Sequence, residues 1–156
     1  MKAKSIVIIL VILAGAALYF SKPLRKQAAD YVKPHVVSVV GTPEEKAVSV
    51  IEEMYKAMEQ ENLEKTLEYI APSERDKAKS ALQKTFAEYD LTYKVSNAKA
   101  TAGKDGKMSV SLDLEIRSTG KNKFRNRRET GTAFMQHDKA DTYFVSFEAK
   151  KIVYWQ

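Results

Sequence analysis

Residues Ser5–Phe20, SIVIILVILAGAALYF, run for sixteen positions without a charge, with Lys2 and Lys4 before them and Lys22, Arg25 and Lys26 after. Ten of the sixteen are Ile, Val, Leu or Phe. Each contributes about −0.3 to −0.6 kcal/mol at the centre of a membrane helix, so burying the run in lipid is favourable by about 3–6 kcal/mol. As a helix, Ser5–Ser21 would be about 25 Å long, slightly short of a hydrocarbon core of about 30 Å. The flanking lysines can snorkel across the difference. The segment 1–21 is therefore expected to be a transmembrane anchor.

A secretory signal peptide is the rival reading. Lys2 and Lys4 form a short basic start, Ile6–Leu13 an apolar middle, and Ala14-Gly15-Ala16 the small residues that cleavage needs. Against cleavage, Leu18, Tyr19 and Phe20 prolong the apolar run and a basic flank follows it. The basic counts on the two sides are nearly balanced, but a tail of only four residues before a span more often stays inside. The expected location is the cell membrane, single-pass, with the remainder extracytoplasmic. The alternative is a secreted or periplasmic protein after cleavage.

Beyond the anchor, about 135 residues suffice for one domain. The chain has no cysteine, which excludes disulfides and thiolate metal sites. The net charge of +6 is unevenly spread. Residues 1–42 hold 6 basic and 1 acidic side chains, residues 43–90 hold 7 and 12, and residues 91–156 hold 13 and 7. A basic balance located at the anchor and in the second half of the domain is not a nucleic-acid signal.

Residues 22–41 read as a juxtamembrane connector whose basic cluster would sit at headgroup level, and residues 42–156 as the domain. Thr42-Pro43-Glu44-Glu45 is a helix start with a capping box. Ala47, Val48, Ile51, Met54, Tyr55 and Met58 follow at three-to-four spacing. Asn62 is placed to cap a second, short helix that Pro72 stops, and Ser73 with Asp76 to open a third. After Asp90 the period becomes two. Met108, Val110, Leu112, Leu114 and Ile116 alternate with polar residues in a half-buried strand, preceded by a strand from Leu91 and a hairpin turn at Gly103–Gly106. A third strand is expected over Phe124–Gln136 and a fourth from Tyr143, with a bulge where the alternation slips at Lys150–Lys151. The fold class expected is α+β: an N-terminal transmembrane helix, then three helices packed on a four-stranded curved antiparallel sheet.

The stretch VIEEMYKAMEQENLEKTLEYIAP, Val50–Pro72, within this element order resembles the opening of the nuclear transport factor 2-like superfamily, a cone-shaped, cystatin-like α+β fold. The resemblance covers about 43–156. It implies relatives that include enzymes, such as ketosteroid isomerase and polyketide cyclases. It also implies non-catalytic members, among them membrane-anchored scaffold subunits of type IV secretion and conjugation machines. Those scaffolds are similar to this chain in layout: short tail, single span, connector, one domain.

Enzymes of that fold use a carboxylate base inside the cone with tyrosine donors. Tyr55, inward on the first helix, is a possible pocket-lining donor, yet Tyr69–Ser73, where the resemblance would place a catalytic Asp, holds none. His137 falls in a turn and His35 in the connector, so neither can act as a general base in a pocket. No catalytic residue is assigned, no cofactor is implied, and two isolated histidines make no metal site. The run Lys121–Arg128 is the most pronounced surface feature. Period two puts Lys121, Lys123, Arg125 and Arg127 on one face, as a partner- or anion-docking stripe or as a solvated face that blocks edge pairing. Arg128 takes the opposite, inward parity and would line the cone mouth, paired with a carboxylate across the sheet.

These readings point to a membrane-anchored, non-catalytic accessory or assembly subunit acting through protein–protein contact. Its partners would be membrane lipid through the anchor and a membrane protein or a second copy of itself, with no nucleic acid. The alternative is an exported small-ligand-binding protein or enzyme using the cone.

Overall fold

The computed structural model describes residues 41–120, 123–139 and 141–155. The anchor, the connector before Gly41, and Lys121 of the basic stripe lie outside the described residues.

Helix α1 spans Pro43–Glu59, α2 Leu63–Glu68 and α3 Arg75–Glu88, and a single 3₁₀ turn, Pro72–Glu74, leads into α3. The first two begin as their sequences dictate. Thr42 accepts from the Glu45 amide while the Glu45 carboxylate accepts from the Thr42 amide, and Asn62 Oδ1 accepts from the Lys65 amide. The third does not. Ser73 lies inside the 3₁₀ turn, and Glu74 stands at the cap position without a side-chain cap bond.

Four strands follow, β1 Leu91–Ala102, β2 Lys107–Ser118, β3 Arg127–Asp138 and β4 Asp141–Tyr154, forming an antiparallel meander in the order β1-β2-β3-β4. At 12 to 14 residues each is about 40 Å long. The helices cover one face of the curved sheet. Ile51 and Met54 of α1, Leu82 of α3, Val110 of β2 and Met135 of β3 are fully buried between the layers, and each such side chain stabilises the fold by about 1.5–3 kcal/mol. Buried Thr66 and Thr85 donate to the Asn62 and Ala81 carbonyls one turn back, so neither hydroxyl is left unpaired.

Register decides which side chains enter the cone. Ile116 faces Arg127, Leu114 faces Glu129 and Val110 faces Ala133. The inward set of β3 is therefore Arg127, Glu129, Gly131, Ala133 and Met135. Two sequence expectations change accordingly. The third strand starts at Arg127, because residues 123–126 form the loop entering it, and the parity expected from Phe124 is inverted. Arg127 points inward and Arg128 outward.

The slip at Lys150 is a bulge, since Thr130 opposes Lys151 while Gly131 opposes Ala149. A second irregularity lies opposite Phe134/Met135. A third lies in β1, where Asn97 (φ 53°) bends the strand and donates to Asp113 Oδ2 at 2.8 Å. The free edge of β4 is covered at one point. The Ala71 amide donates to the Phe144 carbonyl and the Phe144 amide to the Tyr69 carbonyl, both at 2.8 Å.

Candidate functional site

The end of the sheet that holds the start of β1 and the end of β4 gathers the ionisable groups, on both faces.

Inside the cone, α1 presents Tyr55, β1 presents Tyr93, and β3 presents Arg127 and Glu129. The two phenol rings pack at 5.3 Å between centroids, tilted by 32°. Arg127 Nε donates to Glu129 Oε1, and the two side chains are only 14% and 11% exposed. Phe124 caps this end. Its ring lies 5.1 Å from the Arg127 guanidinium and 5.4 Å, edge-on, from the Tyr89 ring. The Tyr93 hydroxyl is buried and has no hydrogen-bond partner among the described residues.

Burial pushes both phenols well above the ordinary tyrosine range. The Glu129 carboxylate and Tyr93 add to the rise at Tyr55, with Arg127 opposing. At Tyr93, Arg127 opposes the burial effect, while Glu59 and Glu61 reinforce it. Both tyrosines are thus neutral donors in ordinary buffers.

Outside, the same rows of the sheet carry a charged network. Glu115 accepts from Arg117 Nε at 2.6 Å and from an Arg128 terminal nitrogen at 2.8 Å. Asp113 accepts from Thr130 Oγ1 at 2.5 Å and from Asn97. These bonds hold both carboxyls below their usual range, from Arg128 and Arg117 at Glu115 and from Thr130 and Asn97 at Asp113. With Lys151, Val153 and Trp155 they line a groove of about 420 Å³. A second cleft, about 460 Å³, lies between Phe124, Arg125, Asn126, Tyr154 and Trp155.

The stripe expected from the sequence is accordingly divided. Lys123 and Arg125 are exposed in the loop before β3, with Arg125 stacked 4.5 Å from the Tyr154 ring, whereas Arg127 is turned into the cone. Arg128 does pair with a carboxylate across the sheet, but on the outer face. Tyr55 lies inside as expected. Sequence reasoning missed Tyr93 and Glu129. The inward character of Tyr93 was available from its place between Leu91 and Val95. That of Glu129 required counting back from Ala133 and Met135 rather than forward from Phe124.

Residues 49–154 match the family of the anti-sigma-I factor RsgI9, C-terminal domain. The chain belongs to this family. No curated protein sequence shows significant similarity to it. Among solved structures, this RsgI9 C-terminal-type domain is similar to a candidate scytalone dehydratase from Novosphingobium aromaticivorans. The TM-score is 0.56 at 10% identity, over 72% of this chain and 87% of the other. It is also similar to RPA3114, a SEC-C motif containing protein from Rhodopseudomonas palustris, with a TM-score of 0.51 at 16% identity, over 66% and 77% of the two chains. At these identities the likeness concerns the fold, and it supports the nuclear transport factor 2-like architecture expected from Val50–Pro72.

Proposed function

We propose that this chain is a single-span membrane protein whose extracytoplasmic domain is a non-catalytic accessory or assembly module, docking a partner protein on the outer face of its sheet. The observation that carries this reading is how the ionisable groups are divided. Glu129, the one buried carboxylate among the described residues, is held by Arg127. Asp113, Glu115, Arg117 and Arg128 stand outside in a fixed pattern. The Arg127 guanidinium occupies the Glu129 oxygen that a substrate proton would have to reach, and neutral phenols donate protons without abstracting them. A fixed mosaic of both signs on an exposed face is suited to selecting a partner by charge complementarity. Exposed Phe134, on the same face toward the opposite end of the sheet, supplies an apolar contact. Membership of a family named for a domain of an anti-sigma factor, rather than for a reaction, supports the same reading. A second copy of the chain could occupy this face in place of another protein.

A small-ligand protein or enzyme using the cone is the second reading. The buried, unpartnered Tyr93 hydroxyl and the dehydratase-like neighbour favour it. Crosslinking with mass spectrometry, on membranes from cells expressing the full chain, separates the two. The subunit reading expects an intact Met1–Ser21 peptide and reproducible crosslinks from Lys94, Lys99 or Lys151 to one membrane protein or to a second copy. A soluble chain starting near Ala17, free of crosslinks and binding small apolar ligands, would establish the second reading instead.

A further inference from the structure

Three of the four exposed large hydrophobic side chains of the described domain are consecutive, Ile152, Val153 and Tyr154, at 43%, 46% and 45% exposure. They end the edge strand β4. Register puts Ile152 and Tyr154 on the helix-covered face, opposite Glu129 and Arg127, and Val153 on the outer face, opposite Arg128. The apolar character therefore wraps around the strand instead of alternating with polar residues. At this edge of the sheet even the inward side chains, Ile152 and Tyr154, are open to solvent.

Trp155 follows and continues the ladder, its amide donating to the Asn126 carbonyl. Cations are layered onto these aromatics. Arg125 lies over Tyr154 at 4.5 Å and Arg117 over Trp155 at 5.7 Å, with exposed Lys151 beside the outer groove. The acids nearby, Asp113 and Glu115, are both engaged by neighbouring donors.

Exposed aliphatic side chains, amphipathic Tyr and Trp rings next to them at the strand end, and Arg and Lys around the rings are the three kinds of side chain that meet at a bilayer interface. The aliphatics reach acyl chains, the aromatics sit at headgroup depth, and the cations meet lipid phosphates. We infer that the β4 tip of this domain is a docking surface for an anionic phospholipid bilayer. The inference rests on the membrane reading in one respect, namely that the bilayer is near. The 20 residues of the connector, 22–41, span at most about 70 Å, against a domain about 40 Å tall. A domain tethered at Gly41 can therefore lie with this tip on the surface. An acidic protein face would be served by the cations alone and leaves the Ile152–Val153–Tyr154 exposure without a role.

Trp155 is the chain's single tryptophan, so its fluorescence reports on this tip alone. The full chain is reconstituted into phosphatidylcholine vesicles and into phosphatidylcholine–phosphatidylglycerol vesicles, each with and without brominated acyl chains, and flotation after alkaline wash scores the anchor separately. The expected result is bromolipid quenching of Trp155 in the anionic vesicles, several-fold weaker in the neutral ones. Arg125→Glu with Lys151→Glu reduces it to the neutral level, consistent with about a thirtyfold loss of attraction for each charge reversed. Circular dichroism of that variant confirms that it is folded. Vesicle-bound chain whose Trp155 is unquenched in both lipids, or quenched equally in both, overturns the inference and leaves the anchor standing. If the chain fails to float with neutral vesicles, the anchor reading falls. Quenching on adding the same chain to anionic vesicles still supports the tip, and no quenching overturns it.

Discussion

At the scale of single residues, the interior of the cone is governed by what low solvent access does to four side chains. Arg127 and Glu129 are each tolerable there because the other is present. Removing one partner of a buried pair costs about 3–5 kcal/mol, whereas replacing both with apolar residues is often neutral. Arg127→Met is accordingly expected to destabilise the domain by about 3 kcal/mol, and Arg127→Met with Glu129→Leu by less than either single change, read by urea unfolding. Tyr93→Phe removes a hydroxyl that has no partner among the described residues. It is expected to leave stability unchanged or raise it by about 1 kcal/mol. The raised pKa values of Tyr55 and Tyr93 carry a pH signature of definite sign. A phenol is neutral when protonated, and both have folded pKa values above the unfolded value of about 10. Their contribution is therefore intact below about pH 10 and is lost as pH rises toward the folded values. Stability should fall by about 1.4 kcal/mol per pH unit for each phenol in that window. Pairing pH-dependent urea melts with Tyr55→Phe and Tyr93→Phe tests this, since each substitution should flatten the alkaline slope.

Among the elements, β3 carries the heaviest constraint. Its Gly131 sits on the inward face between Leu112 and Ala149. A Cβ there would come within 2.3 Å of the Glu148 carbonyl oxygen and 2.7 Å of the Phe147 ring. The glycine is needed for close approach, since the neighbouring backbone oxygen cannot swing aside as a side-chain end could. Gly131→Ala is expected to cost about 1–3 kcal/mol through overpacking, visible as a lower melting temperature. The bulge at Lys150 lies beside it, so the contact and the bend in β4 act together. Helix α1 offers a milder test. Thr42→Ala breaks one half of the capping box and should cost about 1 kcal/mol, also read by thermal melting.

For the whole molecule, the polar chemistry is concentrated at one end of the sheet, while the opposite end, around Met108, Met135 and Phe144, is apolar core. An ion pair inside, a charged mosaic outside and an aromatic tip between them share the rows of the sheet from Asp113 to Arg117. The surface proposed for docking therefore sits above the part of the core most sensitive to electrostatics. Charge reversal at Glu115 would release both Arg117 and Arg128. If the outer face docks a partner, Glu115→Lys should abolish partner recovery in pull-downs from solubilised membranes while circular dichroism shows the domain still folded, because the released Arg117 and Arg128 are each 57% exposed and regain water.

The local sequence determined the helix starts at Thr42 and Asn62, the alternation of β2, the turn at Gly103–Gly106, the bulge at Lys150 and the α+β class, because each depends on residues within one or two turns of each other. The third helix forms and buries Ala78 and Leu82, but it lacks its expected cap, since Pro72 imposed a 3₁₀ turn through Ser73. What only the tertiary structure decided is the site. Whether Arg127 or Arg128 enters the cone depends on where β3 begins to pair with β2. That register is set by contacts between residues far apart in the chain, Ile116 with Arg127 and Val110 with Ala133, and a shift of one residue exchanges the two faces of the strand.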